Sequence, residues 1–447
     1  MPDNSNSPLP QFTEPVSSRA LIKSQLTALR ILFAGSSARE GYLAAIDQGL
    51  ISLSNFLATL ILARQVSPTE LGVYGVGFIT LRLVRSLQEG AFIQPMNVLG
   101  APLDRAAFRR YASSTTLLQA GMALISALAV GLIGWFLTAS GNDVAGPTIF
   151  SLWFAFIFWQ MQEYIRRALY TRGSIAAAVI NTGLANLVRL ALMMQWVNQG
   201  SLSGVAGLNA IAWGSAVALG HGLLATRDYW TLKPDNLLKT WRRNWDFGRW
   251  MLGGLLANWV AIEFYPVLTA GLISFAAAGA YRALQNLVAP IHLLLRAIDT
   301  FLTPRAARLF SSTGLKALNH TLTLTYLVAG APVVGMLAVA LLFPAQILRL
   351  FYGETYLPYT QGIVWMTIFY TLLFVNSPLQ TVFKAARLSR PIFIANLAAS
   401  LSMFTLGIFA IFRWGVYGTI AGQALNSLIV GIILWSAWHR LNRPIIA

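Results

Sequence analysis

The sequence predicts an all-α polytopic membrane protein, with twelve transmembrane helices in two six-helix bundles related by a pseudo-two-fold axis along the membrane normal. Three observations lead there. Of 447 residues, 56% are hydrophobic and only 11% charged, with a mean hydropathy of +0.61. A soluble domain carries about 25% charged residues, and no water-soluble core hides this much apolar surface. Apolar runs of about 20 residues, the length that crosses a bilayer as a helix, recur twelve times. A short pattern at the first turn also returns half a chain later.

Residues 1–18 are polar and rich in Pro, Ser and Asn, and read as a disordered tail rather than a signal peptide. The stretch 19–41 is expected to form a cytoplasmic amphipathic helix, with Ile22, Leu26, Leu29 and Phe33 along one side. The N-terminal bundle, 42–225, holds spans at about 42–64, 71–92, 114–138, 146–168, 174–196 and 204–225. A basic cytoplasmic linker, 226–246, carries Trp230, Trp241 and Trp245 to the inner headgroup region. The C-terminal bundle, 247–438, holds spans at about 247–269, 274–300, 321–344, 360–380, 390–412 and 415–438, before a tail at 439–447.

The net charge of +17 would suggest nucleic acid in a soluble protein. Here it follows the loops. With the N-terminus inside, the outer segments hold only Arg64, Arg349 and Arg413, while most other basic residues fall on the inner side. Both termini are therefore expected in the cytoplasm, with membrane lipid and not nucleic acid as the surrounding partner. An offset of 207 residues aligns Ala63 with Ala270, Ser67 with Ser274, Gly72 with Gly279 and Tyr74 with Tyr281. Each half has six helices and starts on the same side, so the halves are parallel repeats.

Several chemistries are excluded. With no cysteine there are no disulfides or thiolate sites, and the four histidines form no metal-binding spacing. No phosphate-binding GxxxxGK[ST] loop or GxSxG nucleophile elbow is present. The outer loops, of which 345–359 is the longest, are too short for a catalytic domain, so the chain is not expected to be an enzyme. No cofactor is implied.

Polar side chains inside the spans are the candidate functional groups, because each is costly against lipid. Gln48, Ser52 and Asn55 share a helix face, as do Arg82 and Arg85, and Arg282 and Asn286. Gln285, His292 and Arg296 continue the eighth span, and Asn376, Gln380 and Lys384 run along the tenth. Helix–helix hydrogen bonding is the plain alternative for each amide and hydroxyl. Local ion pairs are the plain alternative for Arg296 with Asp299, Arg85 with Glu89, and Glu163 with Arg166 or Arg167. Arg82, Arg189 and Arg282 have no such local partner, and at least two of them are expected to face a central cavity. A net-positive vestibule of this kind suits a phosphate-bearing substrate. Glu263 fits either a proton or sodium site or an ion pair with an arginine of a neighbouring helix. Asp47 is expected to complement the positive end of the first helix, or to share the coupling ion.

Asp47-Gln48, Ser52, Asn55-Phe56, Ala63-Arg64, Ser67-Pro68 and Gly72-Val73-Tyr74 together resemble the start of bacterial polysaccharide-type flippases of the multidrug/oligosaccharidyl-lipid/polysaccharide exporter superfamily. The resemblance implies a V-shaped, two-lobed transporter of the bacterial inner membrane working by alternating access. It implies a lipid-linked oligosaccharide or polysaccharide precursor as substrate, its diphosphate crossing a cationic cavity while the lipid tail stays in the bilayer. Glycosyltransferases and a polysaccharide polymerase are the implied functional partners. The twelve spans depart from the lipid II flippase branch, where fourteen are expected. The multidrug branch would show a clearer acidic cluster in the first lobe. A cation-coupled multidrug antiporter of the same fold is the alternative, and it would need H+ or Na+ at Asp47 or Glu263.

Overall fold

The computed structural model describes residues 36–295, 298, 302, 306, 315–386 and 388–442. The expected tail, all but the end of the amphipathic stretch, and the Arg296–Asp299 pair lie outside them.

The first bundle opens with α1 (Ser36–Gln65), which ends at the Ser67-Pro68 turn. Ser67 Oγ accepts from the Glu70 amide at 3.3 Å and Pro68 fills the first turn of α2 (Pro68–Gln88), the N-terminal chemistry that the sequence signals. Beyond Gln88 the chain continues helically through two π-turns, Glu89–Ile93 and Met96–Gly100. Then come α3 (Arg105–Ala139), α4 (Ala145–Thr171), α5 (Ile175–Asn198) and α6 (Gly204–Ala225). The third helix begins well before its expected start at 114, because Asp104 caps it from within the basic loop, accepting from the Ala107 amide at 2.9 Å.

The second bundle opens with α7 (Leu237–Glu263), which breaks at Phe264 ahead of Pro266 and resumes as α8 (Tyr265–Leu272). α9 (Phe275–Leu287) continues as a helical stretch at 289–295. α10 (Leu315–Leu342), α11 (Pro344–Tyr352), α12 (Thr360–Ala385), α13 (Ser389–Ser402) and α14 (Ile408–Leu441) complete it. Gly415, at φ 55°, breaks α14 where the turn between the last two spans is expected. The outer segment read as a loop at 345–359 is largely α11, started by Pro344.

Each expected span thus falls on helical backbone, the eighth only in part within the described residues. Seven helices there are long and apolar enough to cross a membrane; the others are broken or carry more polar side chains. The protein is a multi-pass membrane protein.

The bundles meet along α2 and α9. A Cβ built on Gly72 would stand 1.8 Å from the Phe275 carbonyl oxygen, and one on Gly279 would stand 1.9 Å from that of Pro68. Pro68 and Phe275 obey the same 207-residue offset as the two glycines, and Ser274 caps α9 as Ser67 caps α2. The contact is reciprocal, as a two-fold axis requires. The short sequence repeat therefore falls at the contact where the two bundles meet. Nearby, Arg64 crosses between bundles and caps the last carbonyls of α11, donating to Phe351 O at 2.6 Å and Leu350 O at 2.5 Å. A shared core containing Leu62, Tyr74, Leu208, Tyr281 and Tyr370 fills this end of the molecule.

Candidate functional site: a central cationic cavity

Below that seal the bundles part around a cavity of about 560 Å³. Every substrate-binding candidate among the described residues lines it: Gln48, Ser52, Asn55, Arg82, Arg85, Arg189, Arg282, Asn286, Asn376, Gln380 and Lys384, with Glu263 as well. Asp47 is one layer behind. The cavity runs from the level of Arg282 on α9 down to Lys384 at the end of α12, toward the end that carries the basic loops. It is closed at the other end by the glycine contact.

The helices place six basic side chains on the lining, the five arginines Arg82, Arg85, Arg166, Arg189 and Arg282 together with Lys384, against two acidic ones, Glu163 and Glu263. Both carboxylates are committed. Glu163, 5% exposed, accepts from Arg166 at 2.7 and 2.9 Å, pairs with Arg85 at 3.1 Å, and receives Arg167 at 3.4 Å. Glu263 meets Arg82 at 2.6 Å across the gap between bundles.

The sequence expectations are corrected at two points, and at a third the structure shows one of two alternatives. Arg85 pairs with Glu163 of α4 rather than with Glu89, four residues on. Glu89 begins a π-turn, which changes the angular spacing of the helix, and it accepts instead from Gln94 at 2.6 Å. Asp47 does not complement a helix terminus, because α1 starts at Ser36. It is buried, accepting from Arg166 at 2.5 Å and from the Tyr170 hydroxyl at 2.8 Å. Of the two readings of Glu263, the ion pair is the one present.

Arg189 and Arg282 differ from the rest. No carboxylate among the described residues lies within ion-pair distance of either. Arg189, 5% exposed, donates to Asn55 Oδ1 at 2.9 Å and to the Tyr74 hydroxyl. Arg282 donates to Gln285 Oε1 at 3.4 Å and lies 5.1 Å from the centre of the Phe78 ring. In both, Nε is buried without a hydrogen-bond partner. A guanidinium held in this way is neutralised only by neighbours with partial charges, so a diffusible anion gains from the full charge at low dielectric.

Sequence reasoning missed Arg166, assigned to an inner loop, and the amides Gln162, Asn186, Asn396, Gln423 and Asn426. Spacing alone gave no signal for the amides, since isolated Asn and Gln recur throughout the chain. Arg166 was legible only through Glu163 three residues before it. No group of three or more His, Asp or Glu among the described residues is placed to hold a metal.

No family model and no curated protein matches the sequence. Solved structures do. The fold is similar to that of the lipid II flippase MurJ in an inward closed conformation, with 16% identity, a TM-score of 0.66, and 88% of this chain and 86% of that one covered. It is similar to an inward-facing multidrug resistance transporter of the MATE family within the MOP superfamily, with 14% identity, a TM-score of 0.65, and coverage of 88% and 96%. It is also similar to the MATE multidrug transporter DinF-BH, with 15% identity, a TM-score of 0.63, and coverage of 97% and 98%. The chain has the fold shared by MOP superfamily transporters, as the pattern around Asp47–Tyr74 led us to expect.

Proposed function

We propose that this chain is a transporter that moves an anionic, phosphate-bearing lipid-linked oligosaccharide or polysaccharide precursor across the bacterial inner membrane by alternating access. The diphosphate enters the cavity from the side of the basic loops, taken as the cytoplasm, and is drawn to Arg189 and Arg282. The lipid tail stays in the bilayer. The enzymes that build and polymerise the glycan, glycosyltransferases and a polymerase, stand before and after it.

One observation carries this reading: among the described residues two cavity-facing guanidiniums have no carboxylate within ion-pair distance, while both lining carboxylates are already paired with arginines. An anion fits that arrangement, since arginine pairs with phosphate through two parallel hydrogen bonds. A cationic drug meets net repulsion and no free carboxylate. The fold is equally that of cation-coupled multidrug antiporters, so the two readings are separated by substrate. Purified protein in liposomes should translocate a polyprenyl-diphosphate-linked saccharide. Arg189→Gln and Arg282→Gln should each lower the rate at least tenfold with folding intact. Unchanged rates in both variants, or transport of a cationic dye in place of the lipid, would overturn the proposal.

A further inference from the structure

The side chains on the cavity wall fall into two kinds, those already bonded within the protein and those left open. In the first bundle the amides are engaged. Gln48 donates to Ser52 at 3.3 Å, Gln162 to Asn181 at 2.6 Å, and Asn186 to the Thr182 carbonyl at 2.8 Å, while Asn55 accepts from Arg189. In the second bundle Gln285 donates to the Tyr281 hydroxyl and Asn286 to that of Tyr352, both at 3.1 Å. Asn376 ties α12 to α14, donating to Ser427 O at 2.6 Å, and it is 2% exposed. Gln423 bridges Tyr281 and the Ile262 carbonyl, and Asn426 accepts from Ser402. Two lining amides remain, Gln380 on α12 and Asn396 on α13. Both are half-buried, and neither side chain has a hydrogen-bond partner among the described residues.

Both belong to the second bundle, one on α12 and one on α13. The residues just before them, Leu379 and Ala395, belong to one apolar cluster in which α12 and α13 meet. Ser377 lies three residues before Gln380, on the same face of α12, and also lines the cavity. Four of the five lining arginines sit on the first bundle, and the fifth, Arg282, lies near the sealed end. Neither α12 nor α13 contributes a lining arginine; the cation nearest in sequence is Lys384, one turn after Gln380 on the same face of α12.

We infer that Gln380 and Asn396, with Ser377, form a glycan subsite on the second bundle, distinct from the anion site at Arg189 and Arg282. The inference rests on the transporter reading above and assigns the sugar end of the same substrate. Each sugar hydroxyl both donates and accepts. An amide side chain offers both functions in one group, whereas a guanidinium only donates and a carboxylate only accepts. Neutral amides with open valences, held on helices locked by Leu379 and Ala395, suit an uncharged sugar bearing hydroxyl or N-acetyl groups. Losing such a partner leaves the ligand's polar groups unpaired, which is how a polar subsite discriminates.

The test uses the full chain in lipid nanodiscs and two probes, undecaprenyl diphosphate and the same lipid carrying a neutral trisaccharide. Wild type should bind the glycosylated lipid about tenfold more tightly. The double substitution Gln380→Ala with Asn396→Ala should erase that preference and leave the bare lipid's affinity unchanged, which also reports that the protein is folded. Arg282→Gln should weaken both lipids alike. A double variant that keeps the preference, or that weakens both lipids equally, overturns the subsite, as does a wild type with no preference. A wild type that binds neither lipid instead removes the transporter reading and the subsite with it. Should the double variant not fold, free trisaccharide added to wild type gives the same answer. It should compete with the glycosylated lipid and spare the bare one; competition against both or neither overturns the subsite.

Discussion

Glu163 is one carboxylate facing Arg85, Arg166 and Arg167, with Asp47 on the far side of Arg166. Buried charges survive only when paired and hydrogen-bonded, and removing one partner strands the others. Glu163→Gln should therefore destabilise the protein by about 3–5 kcal/mol, the usual cost of breaking a buried pair, seen as a lower melting temperature in detergent. Glu263→Gln should leave that temperature nearly unchanged, because Glu263 and Arg82 remain 20% and 37% exposed and their pair is screened by water. Equal losses in the two variants would show that burial does not separate the two pairs. The reading of these residues from sequence succeeded where the partner is local, as with Glu163 and Arg166. It failed for Asp47, whose partners Arg166 and Tyr170 stand 119 and 123 residues away. A helix face shows which residues share a side but not what stands opposite.

Between elements, the contact of α2 with α9 holds the sealed end. A carbon atom cannot approach a carbonyl oxygen to within 2 Å, so any side chain at Gly72 or Gly279 must push the helices apart. Gly72→Leu should open the seal. The chain lacks cysteine, so Phe56→Cys, which lines the cavity, provides a single label site. A membrane-impermeant maleimide applied from the side of the Ser67-Pro68 turn should label it severalfold faster in Gly72→Leu than in the parent. Equal labelling would mean that the glycines do not form the seal. This contact was legible in the sequence because caps and small residues obey local rules, and two copies of those rules appeared 207 residues apart. The partner of Arg64 was not legible. It caps α11, a helix whose existence depends on covering this end of the bundle rather than on a run long enough to read as a span.

At the scale of the molecule, the proposed alternating access needs two bodies and a hinge, and the contacts of α7 suggest where the hinge would lie. The chain between the bundles is strapped to the first one. Arg109 donates to Trp230 O at 3.0 and 2.7 Å, the Thr231 amide donates to Ser113 Oγ, and Ser114 donates to Asp235 O. The early turns of α7 follow, with Asn244 accepting from Tyr111 at 2.8 Å, Trp241 beside Phe92, and Gly248 and Leu252 against Gly90. From Ala257 onward α7 also meets the second bundle, through Ser400 and Gln423, while Glu263 at its last position spans the gap to Arg82. Between these stretches lie Gly253 and Gly254, with open space around both and about 1 kcal/mol less helix propensity each than alanine. The moving bodies should therefore divide within α7, and residues 237–252 should travel with the first bundle. Spin labels at the exposed positions Ile180, Leu238 and Phe393 test this. On going from the parent to Gly72→Leu, the distance from Ile180 to Leu238 should hold, while that from Ile180 to Phe393 shortens as the cavity mouth closes. If Leu238 instead moves in step with Phe393, the hinge is the linker before α7, and the strap along α3 must release in each transport cycle.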